Sequence, residues 1–190
     1  MVIGGIVFFV IILGIILIST VKNKHQRSEM TLKLLYTILI GIFVAVFVGV
    51  GIAAFYPQLK YPEAPVSMKY GYTEPQKDGK ISEEAKAEME KYDREQKEFQ
   101  IKSQNYNRNV SILALVFSIV IVVISLTLFK KIYLIADGLL LGGVLTLLYS
   151  VIRGFGSDDN MFRFIVVSVG LMVSLFLGYV KFIAPMEKKK

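Results

Sequence analysis

The chain has no cysteine, no tryptophan and a single histidine. Without cysteine there are no disulfides, thiolate metal sites, iron–sulfur clusters or cysteine nucleophiles, and one histidine is too few for the usual zinc ligand sets. That histidine, His25, stands between Lys24 and Gln26 in a short basic run, where it reads as a solvated residue and not as a base or ligand. No glycine-rich phosphate loop is present. Charged residues make up only 19% of the chain, and within the long apolar runs Asp137 is the one acid, so the paired carboxylates of an intramembrane aspartyl protease are missing too. These absences lead away from an enzyme and from any bound cofactor or metal.

What the chain has instead is apolar surface. Of its 190 residues, 54% are hydrophobic, and the mean hydropathy is +0.57, more than a water-soluble core of this size can hide. The composition predicts an all-α membrane protein. A hydrocarbon layer about 30 Å thick takes about 20 apolar residues of helix, and five stretches meet that requirement. The third and fourth are parted only by Lys130 and Lys131 and are together too long for one crossing, so the chain is expected to fold back there. The first lacks a basic n-region and is longer than a signal-peptide core, so it is expected to be a retained span.

Orientation follows from lysine and arginine in the short loops. Lys22, Lys24, Arg27 and Lys33, then Lys130 and Lys131, then Lys181 and Lys188 to Lys190 all fall on one side, which is read as cytoplasmic. Arg153 and Arg163 on the other side are balanced by Asp158 and Asp159. The expected organisation places a first span at 1–21 with its N-terminus outside, a basic cytoplasmic loop at 22–33 and a second span at 34–56. An extracytoplasmic segment at 57–109 leads to a third span at 110–129 and a fourth at 132–152. A short outer loop at 153–160, a fifth span at 161–184 and a basic cytoplasmic tail at 185–190 complete it, in a bacterial plasma membrane. The net charge of +7 is then the topology signal itself, with an attraction to anionic inner-leaflet lipid, and does not call for a nucleic-acid partner.

In the outer segment, Pro57, Pro62, Pro65 and Pro75 alternate with Tyr56, Tyr61, Tyr70 and Tyr72, a pattern of an extended strap. Ser82 followed by Glu83 and Glu84 marks a helix start. From there Glu90 with Arg94, Asp93 with Lys97 and Glu98 with Lys102 are spaced for i to i+4 pairing. With nothing to break it, this helix is expected to run straight into the third span as a rod of about 70 Å. Tyr92, Phe99 and Tyr106 recur along it every seventh residue. They are a candidate partner face, or an aromatic ridge that packs on the strap of the same chain; the polar residues at the companion heptad positions favour the second over a coiled coil. Asn109, Val110 and Ser111 match a glycosylation sequon, which its place at the membrane edge argues against using.

Small residues four apart allow helices to approach closely in lipid. Such rows occur as Gly41, Ala45, Gly49 and Ala53 in the second span, as Gly138, Gly142, Thr146, Ser150 and Gly154 from the fourth, and as Gly170, Ser174 and Gly178 in the fifth. These three spans are expected to form a tight centre, with the third alongside through Ser111, Ser118 and Ser125, and the bulky first span peripheral. Asp137 is an expensive residue near the cytoplasmic end of the fourth span. It is either half of a fixed pair with Lys181 at similar depth on the antiparallel fifth span, or a snorkelling group, or an ion or proton site. The expected function is that of a non-catalytic subunit, scaffold or assembly factor that sits in the lipid bilayer and binds a protein partner through its outer segment. The alternative is a small channel or transporter, formed as a homo-oligomer, with Asp137 on the route.

Overall fold

The computed structural model describes residues 24–65, 83–127, 129 and 132–183. The first span, the rest of the strap with the Ser82 cap, Lys130 and Lys131, and the basic tail lie outside the described residues. All described elements are helical: α1 (Lys24–Phe55), α2 (Glu83–Thr127), α3 (Tyr133–Phe155) and α4 (Asn160–Gly178), with a π-helical turn at Tyr179–Ile183. Each of the four helices is long and apolar enough to cross a membrane.

The helix α1 starts well before the apolar run. The stretch from Lys24 to Lys33 contains neither proline nor glycine, and a change from polar to apolar side chains does not interrupt the i to i−4 backbone ladder, so the described part of the basic loop is helical. α1 ends where Pro57 forces the preceding residue out of the helical region; the Tyr56 amide still donates to the Ile52 carbonyl at 2.8 Å and closes the last turn. α2 is continuous for 45 residues because none between Glu83 and Thr127 is proline or glycine. Its charged half carries Glu98 paired with Lys102 at 3.3 Å and Lys91 with Glu95 at 4.0 Å, while Arg94 turns its Nε to the Glu90 carbonyl instead of the carboxylate.

α3 returns antiparallel to α2, after a turn in which the Ile132 amide donates to the Phe129 carbonyl at 2.9 Å. The two helices are joined by a ladder of hydroxyls. Ser111 Oγ donates to the Ser150 carbonyl at 2.8 Å, Ser118 Oγ to the Gly143 carbonyl at 2.9 Å and Ser125 Oγ to the Ala136 carbonyl at 2.6 Å, and the Ser150 hydroxyl answers to the Ser111 carbonyl at 2.7 Å. Donors and acceptors both advance by seven residues, the repeat that keeps one seam of each helix facing the other in a left-handed pair. All of these serines are buried.

α3 is the hub of the bundle. It packs most extensively on α2, then on α1, and along a shorter seam on α4. This differs from the expected centre of second, fourth and fifth spans: the third span takes the fifth span's place. The physical reason lies in what each row of small residues does. The α2 serines reach across to α3 carbonyls, whereas Ser174 on α4 spends its hydroxyl on its own Gly170 carbonyl and Gly178 has none of the described residues within 4 Å. Small residues permit close approach; hydrogen bonds across the interface add a reason for it. At the Pro57 end of the bundle, Val48, Ile52, Tyr106, Val110 and Ala114 form one buried cluster. The loop from α3 to α4 is fixed by Asp159, whose side chain accepts from the Met161 and Phe162 amides as an N-cap. Arg163 donates to the Ser157 carbonyl at 2.8 Å beneath the same loop.

Candidate functional site

The acid of the apolar helix α3 is not alone. Asp137 belongs to the first turns of α3 and Lys181 to the π-helical turn after α4, and the Lys181 ammonium donates to Asp137 Oδ1. Both side chains are partly exposed, 43% and 40%, so the pair lies at the bundle flank. An ammonium held on a carboxylate in this way cancels the local charge that makes either group costly in lipid. Among the described residues no cluster of three or more His, Asp or Glu side chains could hold a metal ion.

The aromatic ridge of α2 is covered from within the chain. Tyr106 is buried and stacks on Tyr56, with ring centroids 5.0 Å apart and planes 9° from parallel. One heptad earlier, Phe99 meets Tyr61 edge-on, also at 5.0 Å. Gln96 Nε2 donates to the hydroxyls of Tyr61 and Tyr92, at 2.9 and 3.0 Å, and so ties strap and ridge together. The described part of the strap therefore lies along Tyr92, Phe99 and Tyr106. At the sequon, Asn109 donates to the Tyr56 hydroxyl at 3.0 Å and Ser111 is buried.

The small residues divide into two groups. A methyl group built on Gly142 would lie 2.6 Å from Val44, one on Gly138 would lie 2.7 Å from Ile40, and one on Gly41 would lie 2.9 Å from Leu141, so α1 and α3 are in backbone-close contact here. Gly170 faces Leu147 at 3.2 Å by the same construction. Thr146 donates to its own Gly142 carbonyl at 2.8 Å. Further toward the Pro57 end, Gly49 has none of the described residues within 4 Å. There α1 and α3 part, and Ala45, Gly49 and Ala53 line one wall of a groove of about 320 Å³.

The other wall is Leu145, Leu148, Tyr149 and Ile152, and the rim at the Pro57 end carries Arg153, Tyr106 and Gln58. Arg153 is partly buried, with its guanidinium over two rings, 5.8 Å from the Tyr106 centroid and 5.5 Å from that of Tyr149. Its Nε donates to the Tyr149 hydroxyl at 3.1 Å and one terminal nitrogen to Asn107 Oδ1 at 2.9 Å. No carboxylate pairs with it among the described residues. This rim was missed by reasoning that counted Arg153 only as a loop charge. The signal available was its i to i+4 spacing from Tyr149 at the end of an apolar helix, where aromatic and basic residues meet the headgroup layer.

No protein-family profile matches the chain, and comparisons with curated proteins and with solved structures returned no match either.

Proposed function

We propose that this chain is a five-span membrane protein, with its N-terminus outside and C-terminus in the cytoplasm, that serves as a non-catalytic subunit, scaffold or assembly factor. Its partner is a protein met by the extracytoplasmic segment 57–109. The observation that carries this is α2: one helix of 45 residues, charged over its first half and tied by its serines to α3 over its second. A surface on the first half is thereby held rigidly relative to the bundle, which is what a scaffold needs. The strap and the aromatic ridge together make that surface, with Tyr61 still 63% exposed on it. The Asp137–Lys181 pair supports a structural use of the intramembrane acid over a transport route.

The first test is a pull-down of the native protein in mild detergent, with the masses of its companions determined. Foreign subunits in fixed stoichiometry are expected, and Tyr61→Ala together with Phe99→Ala should release them. A homo-oligomer with no companion would instead favour the channel or transporter.

The topology has a separate test. Single cysteines at Ser28, Lys77 and the exposed Asp158 are expected to react with an impermeant maleimide from outside at the latter two only. Outside labelling at Ser28 would overturn the orientation.

A further inference from the structure

The groove between the outer halves of α1 and α3 is apolar along its walls and cationic at one end. It runs from Ile42 to Ala53 on α1, about 16 Å of helix, which is half of a hydrocarbon layer of about 30 Å. Its extent is thus that of one leaflet, and its volume of about 320 Å³ falls within the range of about 300–1,000 Å³ usual for small-ligand sites. Arg153 stands at the rim end, in the last turn of α3, where the headgroups of that leaflet would lie.

Arg153 also carries unspent capacity. A guanidinium has five N–H donors in a planar fork suited to phosphate. Here Tyr149 and Asn107, both neutral, take two of them, and no acid among the described residues balances the charge. The rings of Tyr106 and Tyr149 hold the fork beside the groove. A cation placed at headgroup depth above an apolar channel one leaflet long is complementary to a single amphiphile: an acyl chain below and an anionic phosphate above.

We infer that this groove is a binding site for one anionic phospholipid of the leaflet on the side of segment 57–109, with an acyl chain between α1 and α3 and the phosphodiester on Arg153. The site depends on the proposed function only in that α1 and α3 cross a bilayer. It requires no partner protein, and it leaves the exposed Tyr61 of the strap open to one.

The experiment uses the full chain purified in mild detergent, incubated with phosphatidylglycerol or with diacylglycerol of the same chains, and read by native mass spectrometry. One phosphatidylglycerol per chain is expected to be retained, about tenfold over diacylglycerol, the discrimination expected of one charge-assisted contact. Arg153→Gln should abolish that preference. Gly49→Phe puts a ring into the groove from a position that has no neighbour within 4 Å among the described residues, so it should fold and yet lose both lipids.

Glycerol phosphate, which lacks the chains, should not compete. Competition by it would show a free-anion site and overturn the inference, as would wild-type retention in both variants. Cross-linking of a residue from 1–21 into the groove would assign it to the first span and overturn it as well. If no lipid is retained while the protein still requires detergent, the lipid site fails and the membrane scaffold stands; a chain soluble without detergent would remove both.

Discussion

Gly142→Leu is expected to force α1 and α3 apart and to lower the stability of the bundle by about 3 kcal/mol, the upper part of the usual range for overpacking. The first carbon of the new side chain would already lie 2.6 Å from Cβ and Cγ1 of Val44, closer than real side chains come, and 3.1 Å from the Gly41 carbonyl oxygen. Neither neighbour can step aside. Val44 is β-branched and has little rotamer freedom on a helix, and the oxygen belongs to backbone. The contact is the last of three of the same kind along this seam, after Gly138 on Ile40 and Gly41 on Leu141, so a shift of α1 to relieve it loses those too.

Helix propensity works the other way, since leucine is favoured over glycine by up to about 1 kcal/mol; a net loss therefore isolates the packing effect. Gly49→Leu supplies the control. It has the same propensity gain and no neighbour within 4 Å among the described residues, so it should be neutral or slightly stabilising. Equilibrium unfolding in mixed micelles measures both. Equal stability of the two leucine variants would mean that α1 does not lie on α3 as described.

How much of this was legible beforehand depends on whether the deciding physics leaves a mark in side-chain type. The continuity of α2 did, because the absence of proline and glycine from Glu83 to Thr127 is visible in the sequence and nothing else ends a helix there. The serines at 111, 118 and 125 marked a contact by their spacing, but not its strength. Their acceptors are the carbonyls of Ala136, Gly143 and Ser150, and every residue has a carbonyl.

Spacing alone therefore puts the third span beside the centre, and the hydrogen bonds to α3 bring it within. The small-residue rows were equally visible and less decisive: Gly142 and Gly49 belong to comparable rows, yet one is in tight contact and the other faces a groove. A glycine shows where a helix can come close, and only the partner's side chain shows whether it does. The aromatic ridge left two uses open because the choice rests on where the strap turns after Pro57, a tertiary matter that brings Tyr56 and Tyr61 to Tyr106 and Phe99. Arg153 was hidden by being counted among loop charges, when its neighbours are an aromatic one turn back and an asparagine on another helix.

Breaking the pair between Asp137 and Lys181 is expected to cost more than removing it. Asp137→Asn leaves an ammonium, and Lys181→Met leaves a carboxylate, each without its counter-charge near the end of a membrane helix. The loss should fall between about 1 kcal/mol, the upper value for exposed pairs, and about 3 kcal/mol, the cost of a lone charge at mid-bilayer. The place of Asp137 in the first turns of α3, within reach of the interface, puts it toward the lower end. The double variant, Asp137→Asn with Lys181→Met, removes both charges and should recover most of the stability lost by either single change, since a neutral pair needs no compensation.

The cycle separates a structural use of Asp137 from transport through its second readout, ion flux in vesicles. If the pair is structural, folding and partner association follow the charge balance, falling in each single variant and returning in the double. If Asp137 carries ions or protons, flux is lost in every variant lacking the carboxylate, the double included, while association holds. Recovery of stability and association by the double variant would mean that charge balance is the requirement at this position, because asparagine restores no proton site.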